Sequence, residues 1–408
     1  MKKVIPILMA ALLSMTACSG QSSQSTDLMT GIKGTHVSEA EDMSWEGDAA
    51  LTAFGLSLLQ NCANDKSTLV SPLSIAMALG MTANGAAGET LSEMEQVLGL
   101  PVEALNKYLY ALSAQLPAEK EQGIHLANGI WLRDNVGFTP KKDFLQANAD
   151  YYDAAVRTAP FDQSTIKDIN RFVSDNTKGM IPEILDTIPD GAVLYLVNAL
   201  SFESKWAHPY KGYQVGKGNF TTESGEKQKT TFFYSTEYQY MENDMLTGFL
   251  RPYEGGEYAF AALLPKEGKT VEECLSALTG ESLYTLLKEA REESVETSIP
   301  QFEKEYSQEL SGALTAMGMG RAFDAGLSDL SAMGTMEDGS QLCISRVLHK
   351  THIALTAEGT KAGAATMVEV EAGAALPQNE VYLNRPFIYL IVYTKTMTPL
   401  FMGTLMEA

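Results

Sequence analysis

The sequence predicts an α+β protein that folds as a single domain. Helical spacing of apolar residues and helix-start signals concentrate in the first half of the chain, whereas apolar runs of strand length concentrate in the second. No tandem repeat and no internal linker rich in Pro, Gly or Ser separates the two halves. Helices and strands that are segregated along the chain, rather than alternating, are typical of an α+β domain.

The composition excludes several functional classes. The chain has 408 residues, of which 45% are hydrophobic, so it is long and apolar enough to bury a large core. Its formal net charge of -21 argues against nucleic acid or an anionic membrane surface as a partner. The acids form no long run of one sign, which indicates a solvated surface rather than an acidic tail.

Residues 1–17 predict an export signal. Lys2 and Lys3 precede an apolar run, 4–13, that is too short to cross a bilayer. The run is followed by Met-Thr-Ala-Cys at 15–18, which resembles a bacterial lipobox. An ordinary signal peptide followed by an incidental cysteine is the alternative.

The lipobox resemblance implies that Cys18 becomes the lipidated first residue of the mature chain. The protein would then be exported and anchored to a bacterial membrane, at the outer membrane or the cell surface, and would meet the membrane only through this lipid. Residues 19–35 are rich in Ser, Gln and Gly. We therefore expect 18–44 to be a flexible tether ahead of a folded domain at 45–408.

The remaining cysteines, Cys62, Cys274 and Cys343, predict buried free thiols. They are odd in number, widely spaced and without a C-x-x-C pair, which argues against a disulfide framework or a zinc site. His349 and His352 are three apart on a predicted strand and face opposite sides, so they cannot share a metal ion. We expect neither a metal nor a cofactor.

Helix signals begin with apolar residues at helical spacing over 48–61. Ser71 followed by Pro72 is a helix start, with serine as the cap, and predicts a helix over 73–82. Thr90 and Glu93 form a capping-box pattern that opens a further helix ending at Gly99. Later helices are predicted at 162–178, 270–277 and 308–317.

Strand signals are short apolar or alternating runs. The run at 193–202 is almost continuously apolar, which is typical of a strand buried on both faces. The other predicted strands lie at 126–132, 258–264, 295–302, 342–356, 386–393 and 400–405.

The stretch 360–370 alternates in a way that suits a strand. Every second residue from Thr360 to Val370 is uncharged and mostly small or β-branched. The charges Lys361, Glu369 and Glu371 all fall on the other parity, so one face could pack on a core. The same residues also fit a flexible, Ala/Gly-rich surface linker.

A family resemblance favours the strand interpretation. Glu358-Gly359-Thr360, with Ala362, Ala364, Ala365 and Thr366, resembles the hinge of an inhibitory serpin, a family of serine protease inhibitors. Segments 384–387 and 399–403 resemble the two closing strands of that family. Segments 69–76, 85–90, 196–206, 298–302 and 314–323 match it in order, so the resemblance covers 45–408.

The resemblance implies a mixed main β-sheet with further sheets, surrounding helices and an exposed reactive-centre loop at about 358–382. It implies a monomer that is an irreversible suicide-substrate inhibitor of endopeptidases, not an enzyme. Cleavage of the loop would trap the protease as an acyl-enzyme while residues 360–372 insert into the main sheet. Loop insertion in serpins is an established example of strand addition and stored strain.

The resemblance also assigns roles to residues outside the loop. Ser71, Ser74 and Asn198 would lie where the main sheet parts, with His349 in the same polar cluster. Trp206 would cover the upper opening near Gly359. Taken alone, the two serines fit helix caps, Trp206 fits a core residue, and His349 fits a buried histidine with satisfied hydrogen bonds.

The cleaved bond is placed by counting along the loop. In the family that the chain resembles, the cut follows about fourteen residues after the hinge glycine, which implies Gly373 with Ala374 after the cut, whereas counting back from Asn384 gives Ala375. Ala372, Ala375 and Leu376 are therefore the alternatives. The candidates at 372–375 are all small, which implies elastase-like or subtilisin-like targets, and the sequence leaves open whether cysteine proteases are trapped as well.

Two other functions compete with inhibition. A serpin used only for binding or as a scaffold typically has a charged or proline-disrupted hinge, which 360–370 lacks on its core-facing parity. An exported acyl-enzyme of the β-lactamase or penicillin-binding class would use Ser164 and Lys167 as S-x-x-K and 174–176 as S-D-N. These two motifs are only about ten residues apart, and no K-T-G follows.

Overall fold

The structure, a computed structural model, describes residues 25–35, 45–116, 123–134, 137–360 and 379–408. Its helices and sheets confirm the predicted α+β class with a mixed main sheet. Within the described residues the helices are α1 (Trp45–Cys62), α2 (Pro72–Ala83), α3 (Gly88–Leu98), α4 (Val102–Gln115), α5 (Lys142–Tyr151), α6 (Gln163–Asn176), α7 (Val271–Ala277), α8 (Gly280–Lys288) and α9 (Ser311–Ala316).

The strands of the described residues form three larger sheets and one two-stranded sheet. They are β1 (Thr26–Asp27), β2 (Thr68–Val70), β3 (Gly123–Arg133), β4 (Phe138–Pro140), β5 (Ala155–Ala159), β6 (Leu194–Lys205), β7 (Val215–Thr221), β8 (Lys227–Glu237), β9 (Tyr240–Glu242), β10 (Leu246–Pro252), β11 (Tyr258–Pro265), β12 (Val295–Pro300), β13 (Phe302–Glu309), β14 (Gly334–Met336), β15 (Arg346–Leu355), β16 (Gly359–Thr360), β17 (Asn379–Tyr382), β18 (Phe387–Tyr393) and β19 (Thr398–Leu405).

The main sheet has seven strands in the order β1-β5-β3-β6-β16-β15-β13. A six-stranded sheet, β2-β19-β18-β11-β10-β9, and a four-stranded sheet, β17-β12-β8-β7, accompany it. In the main sheet, β6 pairs with β3 antiparallel and with β15 parallel. Along β6, Leu196 and Leu200 join the large core, whereas Val197 and Ala199 join a second cluster with Ile169 of α6.

Helix α2 crosses the centre of the molecule, and each of its residues is buried. It begins as the sequence predicts: Pro72 occupies the first turn and the Ser71 side chain accepts a hydrogen bond from the Ser74 amide. A helix that is apolar all round belongs inside a large protein. This helix therefore packs against β3 and β6 of the main sheet as part of the core.

The capping box predicted at Thr90 is wrong. Helix α3 begins at Gly88, and Ala87 in the cap position makes no side-chain cap bond. The Thr90 hydroxyl instead accepts a hydrogen bond from the Asp329 amide at 2.9 Å, so it holds a distant loop. The helix ends at Gly99 in the left-handed region (φ 78°), as predicted.

The predicted strand 295–302 is two strands. β12 belongs to the four-stranded sheet and β13 to the main sheet, with Gln301 between them. Because β13 continues to Glu309 in pairing with β15, the helix predicted at 308–317 shortens to α9. The sequence alternation does not reveal the change of partner, because both segments are equally strand-like.

Residues 25–35, which the sequence assigns to the tether, lie on the edge of the main sheet. Thr26 and Asp27 pair with Thr158 and Arg157 of β5, and Ser25 Oγ donates to Asp168 Oδ2 at 2.7 Å. Leu28, Met29 and Ile32 are partly buried against the core. The prediction fails here because a few apolar side chains in a polar segment give no periodic signal.

The three remaining cysteines are free thiols, as predicted. Cys62 and Cys274 are buried and Cys343 is half-buried. Burial raises the pKa of the Cys62 thiol to about 11, which keeps it protonated and unreactive at neutral pH. Within the described residues, no helix combines the length and apolarity needed to cross a membrane.

Candidate functional site

A slot between β6 and β15 of the main sheet is the centre of the candidate site. The two strands run parallel and in register from Tyr195 and Arg346 to Ser201 and His352. Beyond that point they separate, and β16 lies between them. Strand β16 is antiparallel to both neighbours, with Thr360 opposite Ser204 on one side and Leu355 on the other.

A tight turn returns the chain from β15 into this slot. The Thr356 amide donates to the Gly359 carbonyl at 2.8 Å, which closes the turn. A Cβ at Gly359 would lie 2.2 Å from the Ser204 carbonyl oxygen, so only glycine fits there. Thr360 is fully buried, and its Oγ1 lies 2.6 Å from Tyr253 Oη in a hydroxyl–hydroxyl hydrogen bond. The hinge residues Gly359 and Thr360 are therefore already strand residues of the main sheet.

Trp206 and Tyr210 hold the turn from outside. The Trp206 amide donates to Glu358 O at 2.9 Å, and its indole Nε1 donates to Thr356 O at 3.0 Å. The Tyr210 amide donates to Ala357 O at 2.8 Å. The Trp206 ring stacks on Tyr253 with centroids 4.5 Å apart. Trp206 thus lies against the turn that leads to Gly359.

Arg251, which sequence reasoning missed, supports these aromatic rings from below. Its guanidinium lies 3.9 Å from the centroid of Tyr210 and 5.0 Å from that of Trp206. It is ion-paired with Glu237 and donates to His208 O at 2.6 Å. Both charged side chains are buried, so each needs the opposite charge of the other to compensate for the loss of water. The only sequence signal was a charge within the apolar strand 246–252.

A buried polar cluster lies lower in the slot, where β6 and β15 are in contact. Asn198 and His349 stand opposite each other, and Asn198 Oδ1 lies 2.7 Å from His349 Nδ1. The Ser71 amide donates to His349 Nε2 at 3.3 Å. Because Nε2 accepts, Nδ1 carries the proton and donates to Asn198, so the imidazole is neutral. Complete burial lowers the pKa of His349 to about 3.

Two further polar side chains at this level have unused capacity. Ser74 is fully buried, and among the described residues its hydroxyl has no hydrogen-bond partner. Asn128 Oδ1 accepts from Asn198 Nδ2 at 2.8 Å, but within the same residues Asn128 Nδ2 is unpaired. Buried polar groups are normally paired, and an unpaired one costs about 1–3 kcal/mol. The centre of the sheet thus retains buried polar groups whose hydrogen-bonding capacity is not used within the described residues.

The S-x-x-K motif is part of a helix start. Ser164 lies in the first turn of α6, where its hydroxyl donates to the capping side chain Asp162 at 2.6 Å. Ser174 and Asp175 lie on the same helix. Among the described residues, no three His, Cys, Asp or Glu side chains are arranged to hold a metal ion.

Comparison with known families settles what kind of molecule has this slot. The family model described as serpin, serine protease inhibitor, matches residues 49–408.

The chain belongs to the serpin family.

Individual relatives agree over nearly the whole chain. An uncharacterised serpin-like protein of Thermococcus kodakarensis is 30% identical over 88% of this chain and 85% of its own. A leukocyte elastase inhibitor of Xenopus tropicalis is 29% identical over 87% of this chain and 97% of its own. The family model is described as one of serine protease inhibitors, and the chain is a serpin rather than an enzyme.

Among solved structures, the thermophilic serpin tengpin is similar in two states. Its native state has 41% identity and a TM-score of 0.91, covering 94% of this chain and 100% of tengpin. Its latent state has a TM-score of 0.79, covering 90% of this chain and 99% of tengpin. The serpin described here is therefore closer in shape to native than to latent tengpin.

The predicted site residues divide into two groups. Those within the described residues lie along the slot: Glu358, Gly359, Thr360 and Trp206 at the top, and Ser71, Ser74, Asn198 and His349 at the centre. The others, Ala362, Ala364, Ala365, Thr366, the bond candidates Ala372, Gly373, Ala374, Ala375 and Leu376, and Cys18, lie outside the described residues. Their assignments stay predictions.

The neutral His349 predicts a specific sensitivity to acid. Its folded pKa of about 3 lies below the unfolded value of 6.5, so between these pH values the unfolded state alone binds the proton. The free energy of unfolding then falls as the pH falls, by about 2 kcal/mol at pH 5. The urea midpoint of His349→Gln should fall less than that of the parent between pH 7.5 and 5. His208→Gln, which changes an exposed histidine, should keep the parent's acid sensitivity; a His349→Gln curve equal to the parent's would contradict the prediction.

Proposed function

We propose that this serpin is an irreversible inhibitor of endopeptidases that traps its target by adding the cleaved loop to the main sheet. The observation that carries this proposal is β16, which already lies between β6 and β15 and is antiparallel to both. A loop cut downstream of Thr360 has only to continue this strand. The acyl-linked protease would be carried along with it.

The register of the slot supports continuation of the strand. Each residue beyond Thr360 would move one position down β15 from Leu355 and one position down β6 from Ser204. Six residues on, Thr366 would stand opposite 355 − 6 = 349 and 204 − 6 = 198. His349 and Asn198 are opposite each other in the present sheet, so the two pairings agree. The small hydroxyl of Thr366 would then enter the polar cluster in place of the direct Asn198–His349 contact.

The same register gives the loop alternation a physical reason. Ala362, Ala364 and Val368 would stand opposite Phe202, Leu200 and Leu196, which are buried in the large core. Lys361 and Glu369, on the other parity, would face the opposite side of the sheet. The core-facing positions therefore need the small or apolar uncharged residues that the sequence has.

The energy of insertion is sufficient for the proposed mechanism. One parallel pairing would be exchanged for two antiparallel pairings, a net gain of about ten backbone hydrogen bonds at about 1 kcal/mol each. The sum, about 10 kcal/mol, is comparable to the total stability of a protein domain. An inserting strand can therefore distort a protease that is attached to its end.

The residues around the predicted cleavage site indicate the class of protease that is inhibited. The candidates 372–375 are Ala, Gly, Ala and Ala, which suit the shallow primary pocket of elastase-like or subtilisin-like serine proteases. A trypsin-like target would need Lys or Arg there. Two relatives have the name leukocyte elastase inhibitor, which describes those proteins and supports the same target class here.

Inhibition is tested by mixing the chain with an elastase, a subtilisin, a trypsin and papain. We expect complexes that survive boiling in detergent with the elastase or the subtilisin, and none with trypsin. Papain decides whether cysteine proteases are trapped as well. The mass of the released C-terminal peptide should place its first residue within 373–376. Cleavage of the loop by all four enzymes without any stable complex would contradict the proposal.

An arginine on the core-facing side of the loop should convert the inhibitor into a substrate. Thr360 is already buried in the intact molecule, so Thr366→Arg is the cleaner variant. Its charge would have to enter the sheet between Asn198 and His349, and burying an unpaired charge is prohibitive. We expect at least about tenfold fewer detergent-stable complexes per cleaved molecule. Lys361→Arg, on the other parity, should trap the protease as the parent does; an undiminished yield for Thr366→Arg would refute the register.

We also propose that the protein is exported and anchored through a lipid on Cys18. Support comes from the apolar run 4–13 and the lipobox-like 15–18. In a bacterial host, the parent should incorporate radiolabelled palmitate and partition with the membranes. Cys18→Ser should lose the label and appear in the soluble fraction; a Cys18→Ser protein that is still labelled would contradict the assignment.

A further inference from the structure

The N-terminal arm, residues 25–35, enters the main sheet from one end only. Strand β1 is antiparallel to β5, β5 is parallel to β3, and β3 is antiparallel to β6. The arm therefore runs in the same direction as β6, which leads to β16 and the hinge. Because Ser25 precedes β1, the chain before it leaves the sheet at the end opposite the hinge.

The pairing register measures how far this entry point lies from the hinge. One row of directly opposed residues crosses four strands from the arm to β6: Thr26, Thr158, Leu132 and Leu194. The hinge residue Thr360 is opposite Ser204 of the same strand β6. The two positions on β6 are 204 − 194 = 10 residues apart, which is about 33 Å at the rise of a strand. We call the end with the row of Thr26 the anchor end of the sheet and the other the hinge end.

A buried carboxylate holds Ser25 at the anchor end. The Ser25 hydroxyl donates to Asp168 Oδ2 at 2.7 Å, and the same oxygen accepts from Trp131 Nε1 at 3.2 Å. Arg157 of β5 is ion-paired with this carboxylate at 3.3 Å. Hydrogen bonds to an ionised carboxylate are stronger than those between neutral groups. The point at which the arm enters the sheet is therefore fixed.

The rest of the arm is bound along its length. Three of its apolar side chains are partly buried against the large core: Leu28, Met29 and Ile32. The Leu28 amide donates to Val156 O at 2.9 Å. The Thr35 amide donates to Asp150 Oδ1 of α5 at 2.7 Å. The arm thus belongs to the folded domain, from the edge of the sheet to α5.

The length of chain between Cys18 and the arm limits how a lipid-anchored molecule can be oriented. Cys18 and Ser25 are 25 − 18 = 7 residues apart, and this length of chain spans at most about 25 Å. If the hinge end faced the bilayer, Ser25 would lie at least about 33 Å from the bilayer surface. Because the reach is shorter than this distance, a docked arm excludes that orientation.

Without the docked arm this limit disappears. From Cys18 to Trp45, where α1 begins, the chain has 45 − 18 = 27 residues, which can span up to about 97 Å. The folded domain could then turn either end of the main sheet towards the bilayer. The contacts of the arm, rather than the total length of the leader, therefore decide the orientation.

We infer that the docked arm turns the anchor end of the main sheet towards a phospholipid bilayer and holds the hinge end away from it. The partner of the anchor end is the bilayer itself, which is reached through the lipid on Cys18. The net charge of -21 opposes adhesion of the rest of the surface to anionic headgroups. The hinge end is thereby directed at proteases in solution. This inference rests on the proposed lipid anchor, which is tested separately.

The orientation is tested by energy transfer from the lipidated chain to acceptor dyes on the headgroups of phosphatidylcholine vesicles. An azide-bearing amino acid coupled to the donor dye replaces one of two exposed residues: Asp190, shortly before β6 at the anchor end, or His208, shortly after Trp206 at the hinge end. A height difference of about 33 Å should make transfer from position 190 at least about fivefold faster than from position 208. Equal rates, or faster transfer from position 208, would overturn the inference.

Variants of the arm test whether docking is the cause. Leu28→Ser combined with Ile32→Ser removes apolar contacts and should bring the two transfer rates within about twofold, because the longer free chain allows both orientations. Thr30→Ser combined with Lys33→Gln changes exposed positions of the same arm and should keep the parent's difference. Hydrogen exchange of the Leu28 amide reports whether the arm is released. If the double serine variant stays docked, a Gly/Ser segment of equal length replaces residues 25–35. A released arm with an unchanged difference in transfer would refute its role.

Failure of the lipid anchor is recognised independently, from the mass of the mature chain. A chain without lipid would refute the proposed anchor. Cys18 is then coupled to a maleimide phospholipid in a Cys343→Ser background, and the same transfer measurement decides the orientation. Cys62 and Cys274 do not interfere because both are buried. A chain that traps no protease would contradict the proposed inhibition and leave the orientation result unaffected.

Discussion

The parallel pairing of β6 with β15 is the constraint on which the rest of the structure depends. This pairing is complete through the lower part of the sheet and is interrupted at the top by β16. The contact between Asn198 and His349 closes the sheet at the level that a longer β16 would have to pass. A hydrogen bond between an amide and a neutral imidazole adds about 1 kcal/mol to the backbone pairing of the two strands, and it can exchange partners without any change of charge.

The top and the centre of the slot are stabilised by different kinds of contact. At the top, Trp206 and Tyr210 bind three consecutive carbonyl groups of the turn, and the buried Arg251–Glu237 pair fixes their rings. At the centre, α2 presents Ser71 and Ser74 to the sheet from a helix that is buried on all sides. The entrance is thus held rigidly, whereas the middle relies on short side chains whose hydrogen bonds are easily exchanged.

Much of this arrangement was predictable because it depends on local signals. The cap at Ser71 and the apolar strand of Asn198 follow from residue types at fixed spacing, and the motif order gave the family and the place of Trp206. The support from Arg251 was not predictable, because its partner Glu237 is 14 residues away on another strand and neither has a pattern. The capping box predicted at Thr90 was wrong for a related reason. The Thr90 hydroxyl accepts a hydrogen bond from the Asp329 amide, which is more than 200 residues away in the chain.

A sheet that we propose to admit one more strand at its centre also has two outer edges where a strand could attach by mistake. One edge, on β5, is partly covered by the two residues of β1. The other, β13, carries Glu303 and Glu305 at exposed positions, and charged side chains discourage pairing at an edge. Loops of neighbouring molecules therefore meet a shielded border on either flank. Attachment of a strand from another molecule is thereby disfavoured at both borders of the sheet.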